Sequence, residues 1–210
     1  MTASSPLPSR RQIRLVLLSL VVAVFMSSLN QTVIGTAMKT IADDLGGLSL
    51  QAWVTTAFLI AMTVGTPIYG KLSDVFGRRP LLLVAMGIFA LGTVLSSFAG
   101  DMIQLAAFRA VQGLGAGGLM SLPLAILGDV LSPRERAKYQ GMFMAVFGVS
   151  AVAGPLIGGL FAGIDTLLGI EGWRWVFLFN LPLTALAAWL AWRFLRLPRA
   201  HGRARIDWAG

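Results

Sequence analysis

The chain has 210 residues, of which 56% are hydrophobic and only 12% are charged, whereas about a quarter of the residues of a soluble domain are charged. Its net charge of +8 would suit a nucleic-acid partner, but the basic residues lie at the ends of apolar runs, with no polar surface between them to follow a phosphate backbone. The absence of cysteine excludes disulfides, thiolate metal sites and cysteine catalysis.

Six apolar segments follow one another along the chain, and each is long enough to cross a bilayer, which takes about 20 residues of helix. The first resembles a signal peptide, but five comparable segments follow it, so it is interpreted as a retained span. Because the runs are too long for barrel strands and lack their alternation, the sequence predicts an all-α membrane protein. The predicted spans are residues 15–37, 50–69, 80–100, 102–128, 139–163 and 174–195.

The predicted organisation has three parts: an N-terminal tail at 1–14, a six-helix transmembrane domain at 15–195, and a basic linker at 196–210. Fourteen Lys and Arg residues lie in the two end segments and in the loops after the second and fourth spans, against two, Lys39 and Arg174, on the other side. This asymmetry predicts that both ends of the chain are cytoplasmic. The predicted location of the six spans is the lipid bilayer of the inner membrane. Tryptophans near the outer start of the sixth span, among them Trp173, are interpreted as interfacial anchors.

The loop between the second and third spans, residues 70–80, reads GKLSDVFGRRP. Gly77 permits a tight turn there, and Asp74 can pair with Arg78 across it. The segment resembles the signature loop of the major facilitator superfamily, Gly-x-Leu-Ala-Asp-Arg-x-Gly-Arg-Arg/Lys, and departs from it at Ser73 and Val75. The resemblance implies a cytoplasmic gating loop that contains Gly70, Asp74, Gly77, Arg78 and Arg79.

Three further motifs follow in the order found in that family. The fourth span contains RAVQGLG at 109–115, the fifth contains GVSAVAGPLIGG at 148–159, and the sixth opens with GWRWVFLFNLP at 172–182. Together they resemble the fourteen-span drug:proton antiporters. The resemblance implies the N-terminal half of a transporter, built as two inverted three-helix repeats. It further implies that the tail leads toward a seventh span, and that transport needs the missing C-terminal half.

Arg109 is a charge inside a span, where a charge is costly and usually faces the bundle interior with a partner. Asn30 lies at a similar depth in the first span, so the two side chains are expected to face one another. The resemblance places both, with Gln112, in a polar network for proton coupling. The related antiporters commonly have Asp where Asn30 stands and Pro where Lys39 stands.

Asparagine does not titrate, and no Asp or Glu lies inside any predicted span. Two explanations remain open: the carboxylates that carry protons lie in the missing half, or the chain is a substituted, uncoupled variant. One hypothesis is that Asn30 mimics a protonated aspartate and biases the protein toward one access state. The alternative is that Asn30 only forms hydrogen bonds within the bundle.

Glycines of the fifth span are spaced for close helix contact, since Gly154 and Gly158 are four residues apart, as are Gly159 and Gly163. Pro155 removes a backbone donor and predicts a bend. The segment is interpreted as a hinge or leak-proof seam of alternating access, or as tight packing alone. The antiporter motif implied by the resemblance comprises Gly148, Gly154, Pro155, Gly158 and Gly159.

Adaptable apolar side chains, together with one polar neighbour, are candidates for lining a cavity that takes lipophilic or cationic small molecules. The alternative is that most of them are ordinary core or lipid-facing residues. The candidates are Phe25, Met26, Gln31, Trp53 and Phe143.

The function expected from the resemblance is secondary active multidrug efflux by drug:proton antiport, driven by the proton gradient without a cofactor. The alternatives are proton-coupled export of a specific metabolite or lipid, and a non-transporting membrane scaffold or partner domain. An enzyme is not expected, because the sequence shows no buried Asp pair, nucleophile–base pair or metal cluster and so offers no catalytic or metal site.

Overall fold

The computed structural model describes residues 10–195, with side chains from Arg14 onward. Its long elements are helices, six of which are long and apolar enough to cross a membrane. The helices are α1 (Arg10–Asp44), α2 (Gln51–Phe76), α3 (Arg78–Ser97), α4 (Met102–Val130), α5 (Pro133–Ala162), α6 (Trp175–Leu178) and α7 (Asn180–Phe194). The all-α membrane fold predicted from the sequence is confirmed.

Several helices extend beyond the predicted spans, and local polar contacts accompany two of these extensions. α1 continues to Asp44, past the predicted end at residue 37, and Lys39 pairs with Asp43 one turn later, at 3.2 Å. α5 begins at Pro133 instead of residue 139, because Ser132 and Glu135 form a capping box in front of it. Hydropathy therefore located the membrane crossings but not these polar end turns.

The sixth predicted span, 174–195, is divided into α6 and α7, and together with a preceding 3₁₀ turn it makes one crossing. Pro182 has no N–H to donate to the carbonyl of Leu178, which suits the break at that point. A two-stranded antiparallel ribbon, β1 (Thr166–Leu167) with β2 (Ile170–Glu171), precedes this crossing. The sequence did not predict this ribbon.

The packing of the helices follows an internal two-fold relation. In one half of the bundle, α4 is packed against α2 and α3. In the other half, α1 is packed against α5 and α7 in the same way. Two further contacts, α1 with α4 and α3 with α7, join the halves. The set of contacts is therefore unchanged when α1 is exchanged with α4, α2 with α5 and α3 with α7. It is the arrangement expected of two repeated three-helix units.

Each of the two equivalent seams contains a pair of glycines four residues apart. On the α4–α2 seam, a Cβ added at Gly117 would lie 2.6 Å from the carbonyl oxygen of Met62. On the α5–α1 seam, a Cβ at Gly158 would lie 2.5 Å from the carbonyl oxygen of Val33. Since a real Cβ does not approach backbone so closely, the helices of both seams are in contact through glycine.

The buried core consists of two apolar clusters. One is at the end where α2 joins α3 and α4 joins α5, called the basic end below, and contains Leu20, Phe89 and Leu119. The other is at the opposite end and contains Val33 and Leu105. A layer of buried polar side chains lies between them along the helices: Ser27, Ser28, Asn30, Thr93, Ser96, Arg109, Gln112, Ser150, Asn180 and Thr184.

Candidate functional site

The buried polar layer is centred on Arg109 of α4, whose side chain is 2% exposed. Its Nη1 donates a hydrogen bond of 2.9 Å to Oδ1 of Asn30 on α1. Nη1 also donates to Oε1 of Gln112, one helical turn along α4. The structure thus brings Asn30, Arg109 and Gln112 together, the three residues that the sequence grouped.

The network continues from Gln112 into α3. Nε2 of Gln112 donates to Oγ1 of Thr93 at 2.7 Å, and the Thr93 hydroxyl donates to the carbonyl oxygen of Phe89 at 2.8 Å. The guanidinium carbon of Arg109 lies 3.9 Å from the ring centroid of Phe58 on α2. α1, α2, α3 and α4 therefore meet at one arginine, which we call the arginine centre (Asn30, Phe58, Thr93, Arg109 and Gln112).

Glycines allow the neighbouring helices to approach α4 at this level. A Cβ at Gly92 of α3 would overlap the backbone of Gln112, with only 2.5 Å to its Cα. A Cβ at Gly113 of α4 would lie 3.0 Å from the Cα of Phe58 and still closer to its carbonyl oxygen. Close backbone contact at these two positions places the Thr93 hydroxyl against Gln112 and the Phe58 ring against Arg109.

The sequence pointed to Arg109, Asn30 and Gln112 but missed Thr93 and gave Phe58 no partner. A weak signal for Thr93 was present, because it is a hydroxyl residue next to Gly92 in the apolar part of α3, although Ser96 and Ser97 follow in the same helix. Asn30 lies farther from the end of its helix than the predicted span 15–37 implies, since α1 continues to Asp44.

A second cluster lies at the basic end and is centred on Arg78, the first residue of α3. Nη2 of Arg78 is 2.7 Å from Oδ1 of Asp74, and Nε is 3.0 Å from Oδ2 of Asp129 at the end of α4. Arg78 also donates to the hydroxyl of Ser73, one of the two residues that depart from the signature loop. The predicted Asp74–Arg78 pair is confirmed, and Asp129 joins it.

The turn that precedes Arg78 also agrees with the sequence. Gly77 has φ +94° and ψ 149°, a conformation that side chains disfavour and glycine accepts. Arg79 reaches in the other direction and donates to the backbone carbonyl of Trp192 on α7. Gly70 lies within α2, and an added Cβ there would meet nothing within 4 Å. The cluster of Ser73, Asp74, Arg78 and Asp129 is called the basic-end cluster below.

The antiporter motif of α5 divides into two kinds of glycine. Gly154 lies against Thr32 of α1, with an added Cβ 3.1 Å from the carbonyl carbon of Thr32, and Gly158 lies against Val33. Gly148 and Gly159 would accept a Cβ with nothing within 4 Å among the described residues, so close contact of the Gly159–Gly163 pair with another helix stays a prediction. α5 runs without interruption through Pro155.

Two of the five candidate cavity residues are core residues instead. Met26 is fully buried, with Sδ 2.8 Å from the hydroxyl of Thr184, and Phe143 is 4% exposed in the apolar cluster of the basic end. Phe25 and Gln31 are partly buried, and Trp53 is exposed. The alternative interpretation, that such residues mainly form the core, is correct for Met26 and Phe143, because both lie in helix interfaces.

The end opposite the basic end has its own polar contacts, which the sequence did not reveal. Nη1 of Arg174 donates to the carbonyl oxygens of Ser97 and Ala99 at 2.7 and 3.0 Å, and Nε pairs with Glu171. Trp173 is 2% exposed and donates through Nε1 to Asp44 at 2.9 Å. The expectation that Trp173 is an interfacial anchor is wrong, because its ring packs inside the bundle.

Comparison with known proteins agrees with this architecture. The family model described as "Major Facilitator Superfamily" matches residues 20–209. Multidrug resistance protein 3 of Bacillus subtilis is 40% identical over 94% of this chain and 37% of its own length. The multidrug transporter protein MdtP of the same organism is 40% identical over 93% and 35%, and the efflux pump dotC of Dothistroma septosporum 38% over 94% and 34%. The chain thus spans about a third of the length of these relatives.

Solved structures share the fold at lower identity. A bacterial homologue of the lysosomal transporter Spinster superposes with a TM-score of 0.80 at 24% identity, covering 97% of this chain and 48% of that one. A D-xylose–proton symporter superposes with a TM-score of 0.76 at 18% identity, covering 90% and 49%. In both cases the six helices correspond to about half of the solved chain.

Proposed function

We propose a transport function for this chain from the premise that it belongs to the Major Facilitator Superfamily, as the family match over residues 20–209 shows. The chain is a multi-pass membrane protein with the fold of half such a transporter. The proposed activity is efflux of lipophilic or cationic drugs in exchange for protons, once the six helices are joined to a second half. The observation that carries this proposal is the 40% identity, over nearly the whole chain, to relatives named as multidrug transporters.

The positions of the two polar clusters suggest a different role in transport for each. The basic-end cluster connects α2, α3 and α4 at one end of the bundle, and we assign it the role of a gate on the cytoplasmic side. The arginine centre connects four helices near the middle of the spans. A change in its hydrogen bonding would therefore act directly on α1, α2, α3 and α4.

The coupling of protons is the finer part of the proposal. The carboxylates of residues 10–195 lie at helix ends or in loops, and Asn30 occupies the position that contacts Arg109. An aspartate at that position would gain or lose a proton against the guanidinium. Asn30 is proposed to hold the centre in the arrangement that a protonated aspartate would give, while the titrating carboxylate lies outside these six helices.

The test uses the full-length protein in everted membrane vesicles, with ethidium as the lipophilic cation. Ethidium accumulation and the pH gradient are followed together for the parent protein and for Asn30→Asp. Ethidium-dependent proton movement by the parent would support antiport with the proton site outside this domain. Ethidium-dependent proton movement by Asn30→Asp but not by the parent would show that the parent is uncoupled and that an aspartate at position 30 supplies the proton site.

Failure of both proteins to move ethidium or any related cation would overturn the efflux proposal. Export of a specific metabolite or lipid would then be the next hypothesis to test. Stoichiometric co-purification with another membrane subunit would instead favour the scaffold alternative. Equal coupling by both proteins would remove Asn30 from the proton pathway and leave it a structural hydrogen-bonding residue.

A further inference from the structure

The positive charge of Arg109 has neutral partners in the described part of the chain. Its two hydrogen-bond acceptors are the side-chain amides of Asn30 and Gln112, and its third contact is the face of Phe58. An arginine side chain stays protonated in proteins. Transfer of an unbalanced charge into a low-dielectric interior is strongly unfavourable, so a buried guanidinium calls for a negative charge beside it.

The carboxylates within residues 10–195 do not supply that charge. All of them lie at helix ends or in the connecting segments, several helical turns from the middle of α4. They are Asp43, Asp44, Asp74, Asp101, Asp129, Glu135, Asp165 and Glu171. The balancing charge at Arg109 therefore comes from a group other than these.

Two buried donors of the arginine centre lack a hydrogen-bond acceptor. They are Nε of Arg109 and Nδ2 of Asn30. Each belongs to one of the two side-chain groups that the Arg109–Asn30 hydrogen bond joins. Buried donors in native proteins are almost always paired. Two unpaired N–H groups beside an unbalanced positive charge define the chemistry of an anion-binding site.

The burial of the centre restricts the size of such an anion. Arg109 is 2% exposed and Asn30 is fully buried even in this six-helix unit by itself. A guanidinium buried to this extent leaves little room for a carboxylate carried by a second domain or by a bulky substrate. A small ion that enters without its hydration shell fits the constraint better.

We propose that the Asn30–Arg109 pair binds a monovalent inorganic anion of the size of chloride. The anion supplies the negative charge that an aspartate at position 30 would provide, with Nε of Arg109 and Nδ2 of Asn30 as donors. Asn30 thereby changes the centre from one that carries its own negative charge to one that takes it from solution. The inference goes beyond the efflux proposal, because it holds whatever the cargo is.

The experiment measures binding of ³⁶Cl⁻ to the purified full-length protein in chloride-free gluconate buffer. The variant Asn30→Asp places a carboxylate where the anion would bind, and is expected to lower chloride affinity by at least about tenfold, equivalent to about 1.4 kcal/mol. Arg134→Gln is the matched control, because it removes an exposed positive charge of the basic end and should bind chloride as the parent does.

Competition on the unaltered protein gives a measure that does not depend on how a variant folds. Unlabelled chloride and bromide should displace the label, whereas gluconate and glutamate should not, because a buried site excludes large anions. The proposal is overturned if the parent shows no saturable binding, if large anions compete equally, or if Asn30→Asp binds as tightly as the parent. Since no drug transport is measured, chloride binding and the efflux function stand or fall separately.

Discussion

Two arginines in this molecule are held in opposite ways. Arg78, at the basic end, is 20% exposed and makes ion pairs with two half-exposed carboxylates, Asp74 and Asp129. Arg109, in the middle of the bundle, is 2% exposed and is held by neutral amides and an aromatic ring. The arginine with charged partners is the one that water already stabilises, and the buried one has neutral partners.

The difference in burial between the contacts of Arg78 and those of Arg109 determines how much each contributes to the free energy of unfolding. Exposed ion pairs contribute about 0–1 kcal/mol, because water solvates the separated charges almost as well. Removing one member of a buried polar group costs about 1–3 kcal/mol for each partner left unpaired, and more when a charge is involved. The arginine centre should therefore respond to substitution far more strongly than the basic-end cluster.

The largest expected effect is that of Arg109→Ala. The change removes the donor to Asn30 and Gln112 and leaves a space next to Phe58, so a loss of about 3 kcal/mol or more is expected. The measurement is the thermal unfolding midpoint of the full-length protein in detergent. Arg109→Lys retains a charge and should lose less. Equal midpoints for the parent and Arg109→Ala would contradict the assignment of the buried centre.

A smaller but clear effect is expected from Gly92→Ala. The new methyl group would overlap the backbone of Gln112, 2.5 Å from its Cα, and crowding of this kind costs about 1–3 kcal/mol. The matched control is Gly87→Ala on the same helix, where a Cβ meets nothing within 4 Å. That change should stabilise the helix by about 0.5–1 kcal/mol. Opposite shifts of the unfolding midpoint are predicted, and parallel shifts would show that α3 is not in close contact at Gly92.

Arg78→Gln tests the exposed side of the comparison. It removes both ion pairs of the basic-end cluster, yet a loss of only about 1 kcal/mol or less is expected. The loss should shrink further in concentrated sodium gluconate, a salt that screens exposed charges without adding chloride. Arg134→Gln, an exposed basic residue of the same end, controls for the change in net charge. A destabilisation as large as that of Arg109→Ala would remove the distinction between the two clusters.

Sequence reasoning recovered the parts of this fold that rest on local patterns. Hydropathy gave six spans, and an isolated charge in an apolar run singled out Arg109, since the bilayer makes such a residue exceptional. The loop turn at Gly77 followed from glycine chemistry. What distinguished Gly154 from Gly159 was not local. Both are glycines in one helix, and only the position of α1 decides which of them lies in a contact.

The buried contacts of Trp173 and Met26 were missed for the same reason. Tryptophan near a span end and methionine within a span are compatible with interface, cavity or core. The partner that decides each case is distant in the sequence: Asp44 for Trp173 and Thr184 for Met26. Pairings of this kind arise from the arrangement of helices, which no single-sequence pattern records.

The smallest expected effect concerns the end opposite the basic one, where Glu171 pairs with Arg174. The hydrogen bond from Arg174 holds the pKa of the Glu171 carboxyl below its ordinary value of 4.5. A group whose pKa is lower in the folded state stabilises the fold above its unfolded pKa, and that contribution disappears as the pH falls through the folded pKa. The pH range in which this stabilisation is lost therefore lies below about pH 4.5, and the effect is small because the Glu171 side chain is 45% exposed.

The measurement compares unfolding midpoints between pH 6 and pH 3. The midpoint of the parent should fall slightly more over this range than that of Glu171→Gln. Asp165→Asn, which removes an exposed carboxylate of the same segment, should follow the parent. Superimposable curves for the parent and Glu171→Gln would show that the pair is solvated too well to stabilise this end of the bundle, and the contrast with Arg109 would then be sharper still.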